Sequence, residues 1–148
     1  MTTKDQINIL NDLLAKNYDA EKGYKEAAEL ANSNRLSIMF GNLAQQRYEF
    51  GHEIKSKIKL LGGLPEKGDT IAAKVHRFWM DLRTLISSNT DEVVIEEVAR
   101  GEENALKYYL DAARKLKIDS STYEMVERHR NRIQQSLNHM RELEEVMA

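Results

Sequence analysis

The sequence predicts an all-α fold: two long helical hairpins joined by a shorter crossover helix. Three observations lead there. Only one proline and seven glycines occur in 148 residues, while 41% of the chain is hydrophobic and 31% is charged, a composition typical of helical proteins. Apolar residues recur at steps of three and four. Turn residues concentrate at a few places, with three of the glycines and the single proline in "GGLPEKGD" (Gly62 to Asp69).

Five helices follow in order, within one domain spanning 1–148, at approximately 4–31, 36–61, 70–87, 91–116 and 122–146. The first carries Ile7, Leu10, Leu14, Tyr24, Ala28 and Ala31 on one face, with Thr3 and Gln6 as a capping box. "NSN" (Asn32 to Asn34) ends it. The second uses Leu36, Phe40, Leu43, Phe50, Ile54, Ile58 and Leu61, and stops at the glycine-rich segment. The third places Ile71, Val75, Phe78, Leu82 and Leu85 together. "SSNTDE" interrupts it, and Asn89 with Glu92 can cap the next start. The fourth helix uses Val94, Val98, Ala105, Tyr109, Ala112 and Leu116. Ser121 with Glu124 forms a further capping box, and the last helix carries Val126, Ile133, Leu137 and Met140.

Four helices of roughly 26 residues would each extend about 39 Å. The crossover helix of roughly 17 residues covers about 25 Å, enough to carry the chain most of the way along a bundle. Hairpin, long crossover and hairpin is the plan of a ferritin-like bundle. A five-residue echo, "YKEAA" (Tyr24 to Ala28) and "YLDAA" (Tyr109 to Ala113), sits once in each hairpin.

Composition also narrows function. A net charge of −2 gives no strongly basic face, which argues against nucleic-acid binding. The absence of cysteine removes disulfides and thiol catalysis. No apolar run approaches the ~20 residues of a membrane span, and "MTTKDQINIL" lacks a signal-peptide core. The expected setting is cytoplasmic. A homodimer is compatible with these long helices, through apolar surface around Trp79, though no residue pattern demands it.

"QRYEFGHEI" (Gln46 to Ile54) holds a Glu-x-x-His pair, Glu49 and His52, the spacing of a di-iron carboxylate site. At 100° per residue, however, His52 falls about 160° and Glu49 about 140° from the centre of the apolar stripe, so both project outward. Three other charges fall inside apolar stripes: Glu21, Arg47 and Glu102. Such charges are costly unless paired or bound to metal. Reflection about the first turn sets Glu21 level with Arg47 and predicts a buried ion pair between them. Reflection about the last turn sets Glu102 near Gln134 and Gln135, and His129 near the seam opposite Tyr108.

Two readings follow. In one, the stripe charges form a satisfied polar network in a non-catalytic bundle, with no catalytic residue and no cofactor. In the other, Glu21 and Glu102, with Glu53 or His129, form an atypical site for iron or manganese. Tyr18, Tyr24, Tyr108 and Tyr109 read as wall residues with wet hydroxyls. "VHRFWMDLR" (Val75 to Arg83) reads as the face that docks the crossover helix, or else as a partner surface, with His76 a packing residue.

The segments "LNDLL", "YKEAAE", "AQQRYEFGHEI", "LLGGLPE", "HRFWMDLR" and "RGEENALKYYLDA" occur in that order. Together they resemble a bacterial family of ferritin-like four-helix-bundle proteins catalogued as a domain of unknown function. That resemblance implies a ferritin-like fold and brings no established reaction. "GEENALKYY" is also similar to the third bundle helix of rubrerythrin-type proteins, where a Glu after Gly ligates iron. Glu102 matches that position. The matching position in the first helix is Asn17, with Glu21 one turn later. The second and fourth bundle helices lack an inward Glu-x-x-His, so the resemblance implies a retained fold with an eroded redox site.

Overall fold

A computed structural model describes residues 1–67, 73–116, 118 and 120–147, without the side chains of 73–76. Ile71 and the side chains of Val75 and His76 therefore lie outside the described residues. Among the described residues there are five helices: α1 (Thr3–Leu30), α2 (Asn34–Leu60), α3 (Ala73–Ser88), α4 (Asp91–Lys115) and α5 (Ser121–Met147). α1 packs on α2 and α4 on α5, as two hairpins. α3 lies against both α1 and α4.

Local chemistry sets the helix ends, and it differs from the expected caps in three places. At α1, the box is Thr2 and Asp5, not Thr3 and Gln6. Thr2 Oγ1 accepts from Asp5 N at 3.1 Å, and Asp5 Oδ2 accepts from Thr2 N at 3.0 Å. A carboxylate in the first turn also suits the helix dipole. At α4, Thr90 is the N-cap with no side-chain cap bond. Asn89 instead donates back to Leu85 O at 3.3 Å, and Asp91 and Glu92 supply the first-turn charge. At α5, Ser120 does the capping expected of Ser121, its Oγ accepting from Tyr123 N at 3.1 Å. Ser121 begins the helix and accepts from Lys57 Nζ at 2.6 Å, tying α2 to α5.

α2 closes with a Schellman motif. Gly62 takes a positive φ of 85°, which a side chain would disfavour. Gly63 N donates to Ile58 O at 2.9 Å and Gly62 N to Lys59 O at 3.0 Å, satisfying carbonyls the helix leaves orphaned. The turn between α1 and α2 is fastened to the second half of the chain. Asn32 donates to Ile86 O, and Ser33, which caps α2 through Leu36 N, donates to Asp91 Oδ2 at 2.5 Å.

The core is divided. One apolar cluster gathers Tyr24, Leu36, Phe40, Leu43, Leu82, Ile86, Val94, Val98 and Leu137. The other gathers Leu10, Leu14, Phe50, Ile54, Ile58, Tyr109, Val126 and Ile133. Along α1, α2 and α4 the boundary falls at Asn17, at Gln46 and Arg47, and at Glu102, all buried. A polar layer thus crosses the bundle at mid-height.

α3 docks through Trp79, whose ring meets Tyr24 edge-on at 5.0 Å between centroids and 81° between planes. Beneath it is Gly23. A Cβ built there would lie 2.2 Å from the indole. Leu82 and Ile86 are buried behind it, and Arg83 pairs with Glu26 at 2.6 Å. Among the described residues, no helix is long and apolar enough to cross a membrane.

Two glycines in helix interiors separate the effect of close approach from that of propensity. Gly41 has nothing within 4 Å of a built Cβ, so Gly41→Ala should stabilise by about 0.5–1 kcal/mol. Gly23→Ala gains the same propensity but drives a methyl into Trp79. It should destabilise by about 1–3 kcal/mol. The urea midpoints of the two variants should therefore move in opposite directions from that of the parent.

Candidate functional site

The polar layer is built around one ion pair. Arg47 on α2 and Glu102 on α4 are 1% and 2% exposed. Arg47 NH2 donates to Glu102 Oε1 at 2.8 Å and to Oε2 at 2.7 Å. Its NH1 donates to Gln46 Oε1 at 2.7 Å, and Gln46 Nε2 donates to Ser136 Oγ on α5 at 3.1 Å. From α1, the Tyr24 hydroxyl donates to Glu102 Oε1 in a short bond. The rings of Tyr24 and Phe50 lie 5.9 and 6.0 Å from the guanidinium carbon. All four bundle helices thus supply a group to one network. That degree of satisfaction is what makes a buried charge pair tolerable.

The electrostatics match the geometry. Burial works against the charge on Arg47, but the Glu102 carboxylate and its hydrogen bond, with Tyr24 and Tyr108, together more than offset it and hold the guanidinium protonated. Burial and then the Glu102 charge push the Tyr24 hydroxyl well above the ordinary phenol range. Tyr108 is pushed up to about 12, chiefly by burial of its hydroxyl and against the pull of Arg47.

A second polar chain begins at Asn17. Asn17 Nδ2 donates to Leu13 O at 2.8 Å and to the Tyr109 hydroxyl at 2.9 Å. That hydroxyl lies 3.2 Å from His129 Nδ1. With Asn17 donating to the phenol, the phenol's own proton goes to Nδ1, which leaves His129 Nε2–H facing Glu53 Oε1 at 3.4 Å. Glu53 accepts from Arg128 at 2.7 Å at the surface. The imidazole stacks on Phe50 at 4.0 Å and 13°. Burial lowers the His129 pKa to about 4, and the neighbouring Glu53 only partly opposes this. For Glu53, burial acts upward, but the Arg128 hydrogen bond and His129 together bring it below its ordinary value.

Several expectations are corrected here. Glu21 does not pair with Arg47. It is half-buried and bonds Lys25 on its own helix at 2.8 Å. The buried face of α1 drifts along the helix, so at this level it passes through Ala20, Gly23, Tyr24 and Ala27, and Glu21 turns to the rim. Glu102 is met by Arg47 and Tyr24, not by Gln134 or Gln135. His129 meets Tyr109, not Tyr108. The hydroxyls of Tyr24 and Tyr109 are not wet, since both are bound inside the core. Trp79 is engaged with Tyr24 and Gly23. The outward placing of the Glu-x-x-His pair is as expected: His52 is exposed, and Glu49 pairs with Arg132 at 3.2 Å.

The atypical metal set is not assembled. Glu21 pairs with Lys25 and Glu102 with Arg47, while Glu53 and His129 face each other, and among the described residues no group of three or more His, Asp or Glu is placed to hold a metal ion. A di-metal centre needs free inward carboxylates. Here both oxygens of Glu102 are taken by a cation, and the inward position on α1 is the amide Asn17, itself a donor to Tyr109. These residues do not fit a di-metal centre.

Beside the ion pair, a cavity of about 370 Å³ opens between α1, α3 and α4. Tyr24, Arg47 and Glu102 reach its inner end. Phe78 and Trp79 cover it, and Lys16 and Arg100 stand at its lining. Sequence reasoning missed this space, because it depends on how α3 props α1 from α4.

Two measurements test this description. Arg47→Ala leaves the Glu102 carboxylate buried without its cation and should cost about 3–5 kcal/mol in chemical unfolding. Replacing the trio together, as Arg47→Met, Glu102→Leu and Tyr24→Phe, leaves no buried charge stranded, only the Gln46 amide oxygen without its donor, and should recover most of that loss. The second concerns pH. An unfolded histidine titrates near 6.5, and His129 in the fold near about 4. Between these values the unfolded chain holds a proton the folded chain lacks, so stability rises with pH. It should fall by on the order of 1–2 kcal/mol from pH 7 to pH 5 through His129, with Glu53 acting in the same direction at lower pH. His129→Gln should flatten the melting temperature across that interval.

Comparison with known proteins places this architecture. No curated protein matches the chain. A crystal structure described as ferritin-like, diiron-carboxylate proteins from Bacillus anthracis str. Ames is similar over 100% of both chains, with a TM-score of 0.65 and 20% sequence identity. The fold is therefore a ferritin-like helical bundle. Residues 5–115 match the family model described as a domain of unknown function, DUF2383, and the chain belongs to that family.

Proposed function

We propose that this protein is a non-catalytic ferritin-like bundle that acts by binding or by assembly, with an internal salt bridge at the level where a di-iron relative would gather its ligands. The observation that carries this reading is the bidentate bond of Arg47 to Glu102. A fixed guanidinium at the bundle centre satisfies the carboxylate and repels cations from the same space. The bacterial, cytoplasmic setting belongs to this reading and rests on the family likeness and the balanced, cysteine-free composition.

Elemental analysis of protein purified without chelator tests it, together with melting in added Fe²⁺ or Mn²⁺. The expected result is far less than one metal per chain and an unchanged melting temperature. Near-stoichiometric iron or manganese, or a rise in melting temperature that depends on metal concentration as linkage requires, would overturn the reading.

A further inference from the structure

We propose that the cavity between α1, α3 and α4 binds a small monocarboxylic acid with an apolar body. This rests on the binding reading above and names the ligand class for it. The size is suitable, because small-molecule sites run from about 300 to 1,000 Å³, and this one is about 370 Å³.

The polar demand of the wall is one-sided. Two buried donors, Arg47 Nε and Trp79 Nε1, have no acceptor, and both residues line the cavity. Among the described residues, the buried acceptors left without partners are Asn17 Oδ1 and Glu144 Oε1, and neither residue is on this lining. The wall therefore lacks acceptors, which a ligand oxygen would supply. Leaving buried donors unmet carries a desolvation cost that such a ligand relieves.

Charge points the same way. The lining holds the cations Lys16, Arg47 and Arg100 against the carboxylates Glu97 and Glu102. Both carboxylates are taken, Glu102 by Arg47 at 2.7 Å and Glu97 by Arg100 at 3.0 Å. The third cation, Lys16, lies 4.7 Å over the Tyr108 ring and is held only by the exposed Asp12 carboxylate at 2.8 Å, a pairing weak enough for a ligand to displace, which suits a monoanion and not a polyphosphate. The remaining wall, with Ala20, Phe78, Gly101 and Ala105, offers contact for hydrocarbon. Gly101 lets the Phe78 ring settle against α4, since a Cβ there would lie 2.8 Å from it.

Trp79 is the sole tryptophan, so intrinsic fluorescence reports on this wall directly. Titration of the full chain with benzoate and with hexanoate should give a saturable change with Kd below about 1 mM. Benzyl alcohol and benzylamine, alike in bulk but lacking the carboxylate, should bind at least about tenfold more weakly. Ala105→Phe, which fills the cavity, should abolish the benzoate response. Lys16→Met, at a partly exposed position, should weaken it several-fold without affecting folding. By calorimetry, Trp79→Phe should do the same while keeping an aromatic ring.

The proposal is overturned if neither carboxylate gives a saturable response, if benzyl alcohol binds as well as benzoate, or if Lys16→Met and Trp79→Phe bind benzoate like the parent. Metal analysis separates the two levels. A metal-free protein that ignores carboxylates loses only this inference, whereas a metal-loaded one loses the binding reading.

Discussion

The bond between Arg47 and Glu102 organises the molecule. It places two opposite charges at the centre of a bundle, between two apolar clusters. The surrounding structure then has to keep them paired and fully hydrogen-bonded. Tyr24, Gln46 and Ser136 meet that requirement from three further positions, except at Arg47 Nε, which has no acceptor. The network also fixes vertical register. Sliding one helix by a single turn, about 5.4 Å, would leave hydrophobic contacts that could re-form elsewhere, but the ion pair could not. Two apolar clusters separated by such a layer have one alignment in which both are satisfied.

The crossover helix gives the bundle its asymmetry. On one side, Glu49 with Arg132 and Glu53 with Arg128 link α2 to α5 at the surface. On the other, α3 lies against α1 and α4, with Trp79 set over Gly23. The space left there leads to the ion pair. Arg47 closes the charge balance of the core and also lines that cavity.

Much of the fold was legible in the sequence because helical periodicity and turn chemistry are local signals. The stripes placed Arg47 and Glu102 inside and Glu49 and His52 outside. The identity of the partners was not legible in the same way. Reflection about a hairpin turn compares only neighbouring helices, and Arg47 reaches from the first hairpin to the second, where the crossover sets the level. Glu21 was misplaced because the buried face of a straight helix drifts by ~20° per heptad, enough to move a stripe-edge residue to the rim. The caps were displaced by one residue where adjacent residues, Thr2 and Thr3 or Ser120 and Ser121, offered the same chemistry. The Asn17, Tyr109 and His129 chain carries no sequence motif, since it joins polar groups from three helices.

Arg47 and Glu102 stand 55 residues apart in the chain yet behave as a single heritable character. A mutation at either position alone leaves a buried charge without its partner, so neither can drift freely. Any lineage that placed another kind of site at this level would have to lose the guanidinium first and would pass through a weakened protein on the way. The salt bridge is therefore an evolutionary ratchet: once installed at the heart of the bundle, it is difficult to remove one residue at a time.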